Sequence, residues 1–374
     1  MKNRKLDKLD IEASLLGFGC MRFPTLEDDS IDVEQAEEML DVAYKNGVNY
    51  FDTAYGYHGG KSEEFVGKAL DRYDRSSYYL ATKLPCWLVK ETEDVQRLFE
   101  EQLTRLNKDY VDFYLLHALN KKQFDRMVDL GVLEICDKLK KEGKIKYFGF
   151  SFHDDYDAFK YILEYRDWDF CQIQLNYMDT DIQAGMEGYE LTEKLDIPLV
   201  IMEPIKGGNL ANYPENISKH FEAVTPGMST ASWAMRWIAS LPNVKVVLSG
   251  MSTMEQVVDN IATYKNFKPL NSSEYEAVAR VVDELARRAK NGCTSCEYCM
   301  PCPSGVDIPG NFNVWNNYGI YDNKGESKWR WKENIKDEAK AKQCVECGQC
   351  EELCPQNLSI IEDLKKVQEE LDAL

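Results

Sequence analysis

The sequence predicts an α/β protein in two parts: an eight-stranded parallel (β/α)8 barrel, then a small α-helical domain built around cysteines. Short apolar runs alternate with amphipathic segments, strand then helix, through about residue 265, and a βα repeat of about 250 residues is the size of such a barrel. From Gly292 onward the texture changes to Cys, Pro, Gly and Asn, and eight of the twelve cysteines fall there in two short runs.

The elements follow in order. LLGFG opens the barrel near residue 15. VNYFDTA, SYYLATK, YVDFYLLH, IKYFGFS, FCQIQLNY, PLVIME and VKVVLSG come next, with ends expected near Ala54, Lys83, His117, Ser151, Tyr177, Glu203 and Gly250. Between them lie helical patterns such as EDVQRLFEEQLTRL, in which Val95, Leu98, Phe99, Gln102, Leu103 and Leu106 follow the helical repeat with mostly apolar residues. A doubly wound sheet is the competing arrangement, but its G-x-G-x-x-G turn is missing. GFGCMR lacks the third glycine and HGGKSE has the wrong spacing. NSSEYEAVARVVDELARRAK reads as a further helix, with Ser273 and Glu276 as its capping box and Val278, Val281, Val282 and Leu285 on one face. The expected organisation is a barrel at 1–270, a linker helix at 271–291 and the cysteine domain at 292–374, which ends in a charged helix within QNLSIIEDLKKVQEELDAL.

Composition narrows the function classes. The chain is 44% hydrophobic and 29% charged, enough for a large core and a small one, and its formal net charge of -19 repels nucleic acid and anionic membrane surfaces. MKNRKLDKLDIEASLLGFG lacks a signal-peptide apolar core, and no stretch approaches the roughly 20 apolar residues that cross a bilayer. The expected location is cytoplasmic. Cellular reductants there keep thiols free, so clustered cysteines point to metal or redox work.

In a parallel barrel the loops after the strands carry the chemistry. Asp52 ends VNYFD, Tyr57 follows in TAYGYHGG, Lys83 ends YYLATK and His117 ends FYLLH. Taken singly, each has an ordinary reading: a strand-end aspartate caps a helix, and a lysine faces solvent. Taken together they make chemical sense. A lysine turned inward needs a carboxylate, which Asp52 supplies, and an ammonium beside a phenol is expected to lower the tyrosine pKa and make Tyr57 a usable acid. A histidine on the next strand orients a carbonyl oxygen while hydride from a reduced nicotinamide reaches the carbon. The unit reads as a carbonyl reductase acting on a small-molecule carbonyl substrate.

In this order and spacing, FDTAYGYHGGKSEEFVGKAL, LATK, YVDFYLLH, GFS, QIQLNY, MEPIKGG and VVLSGMSTMEQVVDN resemble the aldo/keto reductases over about residues 10 to 265. The resemblance implies a TIM barrel with NADPH or NADH lying extended across its C-terminal face. It also implies a tetrad of Asp52, Tyr57, Lys83 and His117 with Tyr57 as proton donor, the D-T-A-x-x-Y spacing selecting Tyr57 over Tyr55. It places Ser151 and Gln172 at the nicotinamide carboxamide and Met202 at the ring. Gly250, Gln256 and Asn260 fall along the phosphates and adenosine, and Met21, Arg22 and Gly208 join the cofactor contacts. Some positions depart from the family pattern. Phe152 stands where an asparagine is usual, Met202 where many members put an aromatic ring, and Gln256 where an arginine often reads the 2′-phosphate, which removes the clearest reason to prefer NADPH. Gln174 faces the same way as Gln172, so a slip of two residues remains open. A flavin in the same groove is the competing cofactor.

The second cysteine run, CVECGQCEELCP, has Cys344, Cys347, Cys350 and Cys354 followed by Pro355. This is the C-x2-C-x2-C-x3-C-P spacing of bacterial ferredoxins, in which three thiolates serve one 4Fe-4S cube and the fourth serves the other. The first run, CTSCEYCMPCP, has Cys293, Cys296, Cys299 and Cys302 before Pro303, one residue shorter in its last gap. The expected sets are Cys293, Cys296, Cys299 with Cys354, and Cys344, Cys347, Cys350 with Cys302. A four-thiolate zinc site and a single cluster are the competing readings. The tail thus resembles that of a subset of bacterial and archaeal aldo/keto reductases with a ferredoxin-type domain. The aromatics between the runs, Trp315, Trp329 and Trp331 among them, read as packing, with Trp329 a candidate docking point for a redox partner. Cys20, Cys86, Cys136 and Cys171 read as structural, with Cys20 and Cys86 near enough to strand ends to touch substrate.

Hydride transfer moves two electrons and a cube moves one, so three functions remain in view. The first is an NAD(P)H-dependent carbonyl reductase whose clusters are structural or sense redox state. The second is an electron-transfer oxidoreductase in which clusters pass electrons from a carrier such as a ferredoxin to a flavin or radical step. The third is a barrel whose tail docks it onto a larger redox complex.

Overall fold

The computed structural model describes residues 1–374. Eight parallel strands close into a barrel: β3 (Leu16–Gly19), β4 (Tyr50–Asp52), β5 (Tyr79–Leu84), β6 (Val111–Leu119), β7 (Ile145–Phe152), β8 (Phe170–Gln174), β9 (Leu199–Met202) and β10 (Val244–Gly250), which pairs back onto β3. Before them an antiparallel hairpin, β1 (Asn3–Leu6) and β2 (Ile11–Ser14), turns at Asp10 with a left-handed φ of 52°. The sequence gives little sign of this hairpin, because two four-residue strands rich in charge carry little periodicity. Its Leu6 and Ala13 join Tyr50, Ala81, Phe113, Phe170, Val200 and Val246 in the core inside the strands, so it plugs the amino end of the barrel and leaves the carboxyl end for chemistry.

The helices are α1 (Val33–Lys45), α2 (Ser62–Leu70), α3 (Glu93–Leu106), α4 (Lys121–Asp129), α5 (Val132–Lys141), α6 (Tyr156–Tyr165), α7 (Gly185–Lys194), α8 (Glu215–Glu222), α9 (Thr230–Ala239), α10 (Met254–Lys265), α11 (Ser272–Ala286), α12 (Ile308–Tyr321), α13 (Lys324–Glu333), α14 (Gln349–Leu353) and α15 (Ile360–Asp372). A second, larger core lies between the barrel strands and their helices, with Leu98, Phe99 and Leu106 of α3 in it as their spacing predicts. The run FCQIQLNY, expected to end near Tyr177, forms β8 only as far as Gln174. Asn176 ends it by accepting from the backbone N–H groups of Met178 (3.0 Å) and Asp179 (3.1 Å), a turn that competes with the ladder.

The chain forms two compact units, Met1–Ala211 with Gly227–Tyr275, and Asn212–Pro226 with Glu276–Leu374. In the second, Val306, Ile308, Phe312, Trp315, Trp331, Ile335, Ile360, Leu364, Val367 and Leu371 form the core. Trp315 and Trp331 are buried with their indole N–H groups on Glu370 and Asp372, both at 2.9 Å, whereas Trp329 is 58% exposed. No helix is long and apolar enough to cross a membrane.

The capping box of α11 is Asn271 with Glu274, two residues before the expected Ser273 and Glu276. Asn271 Oδ1 accepts from Glu274 N (3.1 Å) and Glu274 Oε2 accepts from Asn271 N (2.9 Å). A tertiary demand decided between adjacent candidate caps: the Glu274 carboxylate also takes the buried Arg236 guanidinium in two bonds of 2.8 and 2.9 Å. Removing one partner of such a pair leaves a buried charge alone. Glu274→Ala is therefore expected to cost about 3–5 kcal/mol of stability in chemical denaturation, and Arg236→Met with Glu274→Leu together much less.

Candidate active site and cysteine cavities

Barrel register brings the four polar residues to one place. Asp52 pairs with Ala81 and Lys83 with Leu115, so the ends of β4, β5 and β6 lie side by side, and the turn after β4 carries Tyr57 over them. Lys83 is 1% exposed. Its ammonium donates to Asp52 Oδ1 at 2.5 Å, to the Thr53 carbonyl at 2.8 Å and to Tyr57 Oη at 3.4 Å, so each of its three protons has an acceptor. The His117 ring stands edge-on to Tyr57, 6.0 Å between centroids, and its buried Nδ1 has no hydrogen-bond partner.

Burial sets the electrostatics. It opposes the Lys83 charge, but attraction to Asp52 and Tyr57 with their hydrogen bonds outweighs it, and the lysine pKa rises above its ordinary value. Tyr57 corrects the sequence expectation of a lowered pKa. Burial raises it and Asp52 adds to the rise, while Lys83 pulls the other way without prevailing, so the phenol stays protonated. Burial, then the Lys83 charge, pushes His117 down to about 3, which makes it a neutral imidazole.

A second polar layer holds the first. Gln102 of α3 donates to Glu63 Oε1 (2.7 Å) and the Lys83 carbonyl (2.9 Å), and accepts from Tyr114 Oη (2.8 Å). Thr82 donates to the same Glu63 oxygen at 2.6 Å. Gln102 and Glu63 are fully buried, and sequence reasoning missed both; the signal was a glutamine in an otherwise apolar helix face. It also missed Trp87, 46% exposed in the loop after β5 with its ring 5.2 Å from that of His117. Cys20 and Cys86 are buried thiols, raised by burial, Cys86 to about 12, which fits packing rather than reaction with substrate.

The residues expected at a nucleotide divide into two groups. Ser151 and Gln172 pair across β7 and β8, both buried, with Ser151 Oγ accepting from Ala118 N (2.8 Å) and Gln172 Oε1 unpartnered. Gln174 instead donates to Asp179 at 3.1 Å and accepts from Gln183 at 3.3 Å, whereas the Gln172 side chain lies against Asp52 with its oxygen unpartnered. A buried acceptor without a donor suits the carboxamide of a nicotinamide. Met202 is half-buried at the end of β9, and Gly208 has a left-handed φ of 103° in the following turn. At the β10 end, a Cβ on Gly250 would lie 2.8 Å from Arg22 Cγ, so the absent side chain leaves room for the exposed Arg22, with the exposed Met21 beside it in sequence. Gln256 and Asn260 are occupied: Gln256 Oε1 accepts from Ser252 N (2.7 Å), and Asn260 donates to Ser249 Oγ (3.0 Å).

In the second unit the eight clustered cysteines line two cavities. One has Cys302, Cys344, Cys347 and Cys350 in its wall; the other has Cys293, Cys296 and Cys354; Cys299 touches both. Cys302 thus lies with the second run and Cys354 with the first, despite the shortened gap in the first run. A 4Fe-4S cube takes one thiolate at each of its four irons, and cysteines gathered around each of two hollows fit that donor chemistry.

The sequence model described as the aldo/keto reductase family matches residues 15–283, and that of a 4Fe-4S dicluster domain matches residues 292–358. The chain is 27% identical over 308 residues to the uncharacterized oxidoreductase YqkF of Bacillus subtilis, covering 74% of this chain and 95% of that protein. It is 25% identical over 332 residues to the NADH-specific methylglyoxal reductase of Escherichia coli, covering 76% and 98%. Among solved structures it resembles the holo form of aldo-keto reductase AKR11C1 from Bacillus halodurans, with a TM-score of 0.63, 26% identity and coverage of 75% and 96%.

His117 gives a pH prediction. The unfolded chain protonates this histidine near the ordinary 6.5 and the folded chain only near 3, so the unfolded state binds more protons between these values and stability falls as pH drops through that window. His117→Phe should flatten the acid side of the stability profile, measured by denaturant midpoint at successive pH values.

Proposed function

The chain belongs to the aldo/keto reductase family and carries a 4Fe-4S dicluster domain, and on that premise we propose that it is an NAD(P)H-dependent reductase of an aldehyde or ketone. The observation that carries this reading is the single buried ammonium of Lys83 held between Asp52 and Tyr57. A reduced nicotinamide, when bound, supplies hydride to a carbonyl carbon. The chain's own task is then the oxygen. Neutral His117 offers an N–H to orient it, without the full charge that would protonate it early. Tyr57 gives the proton that turns the developing alkoxide into an alcohol, and Lys83, 3.4 Å away, stabilises the phenolate left behind. Asp52 keeps the lysine charged and in place.

Ser151 and Gln172 would hold the carboxamide, Met202 would pack on the ring, and Arg22, Gly208 and Gly250 with Met21 would flank the remainder of the nucleotide. Gln256 spends its oxygen on backbone and brings no cation, which favours NADH over NADPH, in keeping with the relative named as NADH-specific. In the tail, Cys293, Cys296, Cys299 and Cys354 would hold one 4Fe-4S cube and Cys302, Cys344, Cys347 and Cys350 the other, each a one-electron group when bound. The macromolecular partner this implies is a redox protein such as a ferredoxin.

Tyr57→Phe should lower kcat for reduction of a test aldehyde by about 10²- to 10⁴-fold while nucleotide still binds, checked by steady-state kinetics and fluorescence titration. Unchanged reduction would remove the tyrosine from its role. Anaerobic purification with a visible spectrum decides the cofactor class, since a released flavin would contradict a purely nicotinamide site.

A further inference from the structure

We propose that two separate asparagine clamps set the two cysteine ligand sets, Asn291 with Asn316 for one and Asn311 for the other, a reading that rests on the two-cluster assignment above. Each set needs cysteines far apart in sequence, so something must fix one run against the other. Asn311, in the first turn of α12, is fully buried and fully bonded: its amide donates to the Asp307 carbonyl (2.6 Å) and the Ala339 carbonyl (2.9 Å), and its oxygen accepts from Ala341 N (2.9 Å). Asp307 N bonds the same Ala339 carbonyl at 3.0 Å. Asp307 follows Cys302 closely and Ala341 closely precedes Cys344, so one side chain joins the segments that must place Cys302 beside Cys344, Cys347 and Cys350.

The second clamp lies at the other set. Asn291 and Asn316 bond reciprocally, Asn291 N to Asn316 Oδ1 at 2.9 Å and Asn316 Nδ2 to Asn291 Oδ1 at 3.1 Å. The same Asn291 oxygen accepts from Cys293 N (3.2 Å), and its amide donates to Asp363 of α15 (3.2 Å), the helix that follows Cys354. Cys293 and Cys354 therefore reach one cavity through Asn291. The two clamps share no residue. These are positioning residues, acting on iron only through the thiolates they place. Neither is visible as a ligand in the sequence.

The test is iron and sulfide content with electron paramagnetic resonance of the reduced, anaerobically purified full chain. Wild type should hold about eight irons. Asn311→Ala should hold about four, with the residual spectrum of Cys347→Ser. Asn316→Ala should also hold about four, with the spectrum of Cys296→Ser. Asn317→Ala, whose side chain bonds only within its own helix, should keep about eight. If Asn311→Ala loses helical circular dichroism, the milder Asn311→Ser reads instead and should lose iron only from the Cys347 cluster. Variants that keep all iron, or that lose both clusters together with helical content intact, would overturn the clamps. About four irons in the wild type would instead overturn the two-cluster reading.

Discussion

The barrel site depends on keeping one ammonium charged in a place that excludes water. Lys83 is almost fully buried, and burial alone would neutralise it; the Asp52 carboxylate at 2.5 Å is what keeps the cation. The polar layer behind it supports that pair. Glu63, Gln102 and Tyr114 satisfy the polar layer behind Lys83, and the hairpin plug closes the opposite end of the strands. The same burial that makes the pair costly keeps Tyr57 protonated and His117 neutral. A phenol with a raised pKa is a weak acid toward water, but an alkoxide is far more basic than phenolate, so in the proposed reduction the proton would move when hydride arrives and not before.

The second unit solves a different problem. It has a modest core of isoleucine, leucine, valine, Phe312 and two tryptophans, and all its clustered cysteines except Cys350, which sits in the five-residue α14, lie in loops. Loops hold geometry poorly unless their backbone groups are bonded. Asparagine side chains, with both donors and an acceptor, supply those bonds at each cavity. The barrel site is organised by a charge pair and the cysteine hollows by neutral amides, in keeping with the proposed role of each: a buried proton donor in one, thiolate-bound clusters in the other.

Much of this was legible in the sequence for physical reasons. Strand and helix periods revealed the barrel, and the strand-end positions of Asp52, Lys83 and His117 follow directly from the rule that polar residues there face the mouth. The cysteine spacing announced a ferredoxin-type domain because iron chemistry fixes it, and a 4Fe-4S dicluster domain matches residues 292–358. What was not legible depends on tertiary context. The direction of the Tyr57 shift depends on burial, which no spacing reveals. The α11 cap was set by Arg236 from another helix, and Gln102 looked like one polar lapse in an apolar face. Asn291, Asn311 and Asn316 look like ordinary loop and helix-end residues until their partners are seen.

The most direct measurement is the ionisation of Tyr57 itself, followed by the ζ-carbon resonance of ¹³C-tyrosine in the nucleotide-free protein and assigned by its loss in Tyr57→Phe. A buried phenol whose environment outweighs Lys83 should titrate above the ordinary tyrosine value of about 10. Titration below that value would mean that the lysine prevails over burial, and would contradict the account of a protonated acid held in reserve.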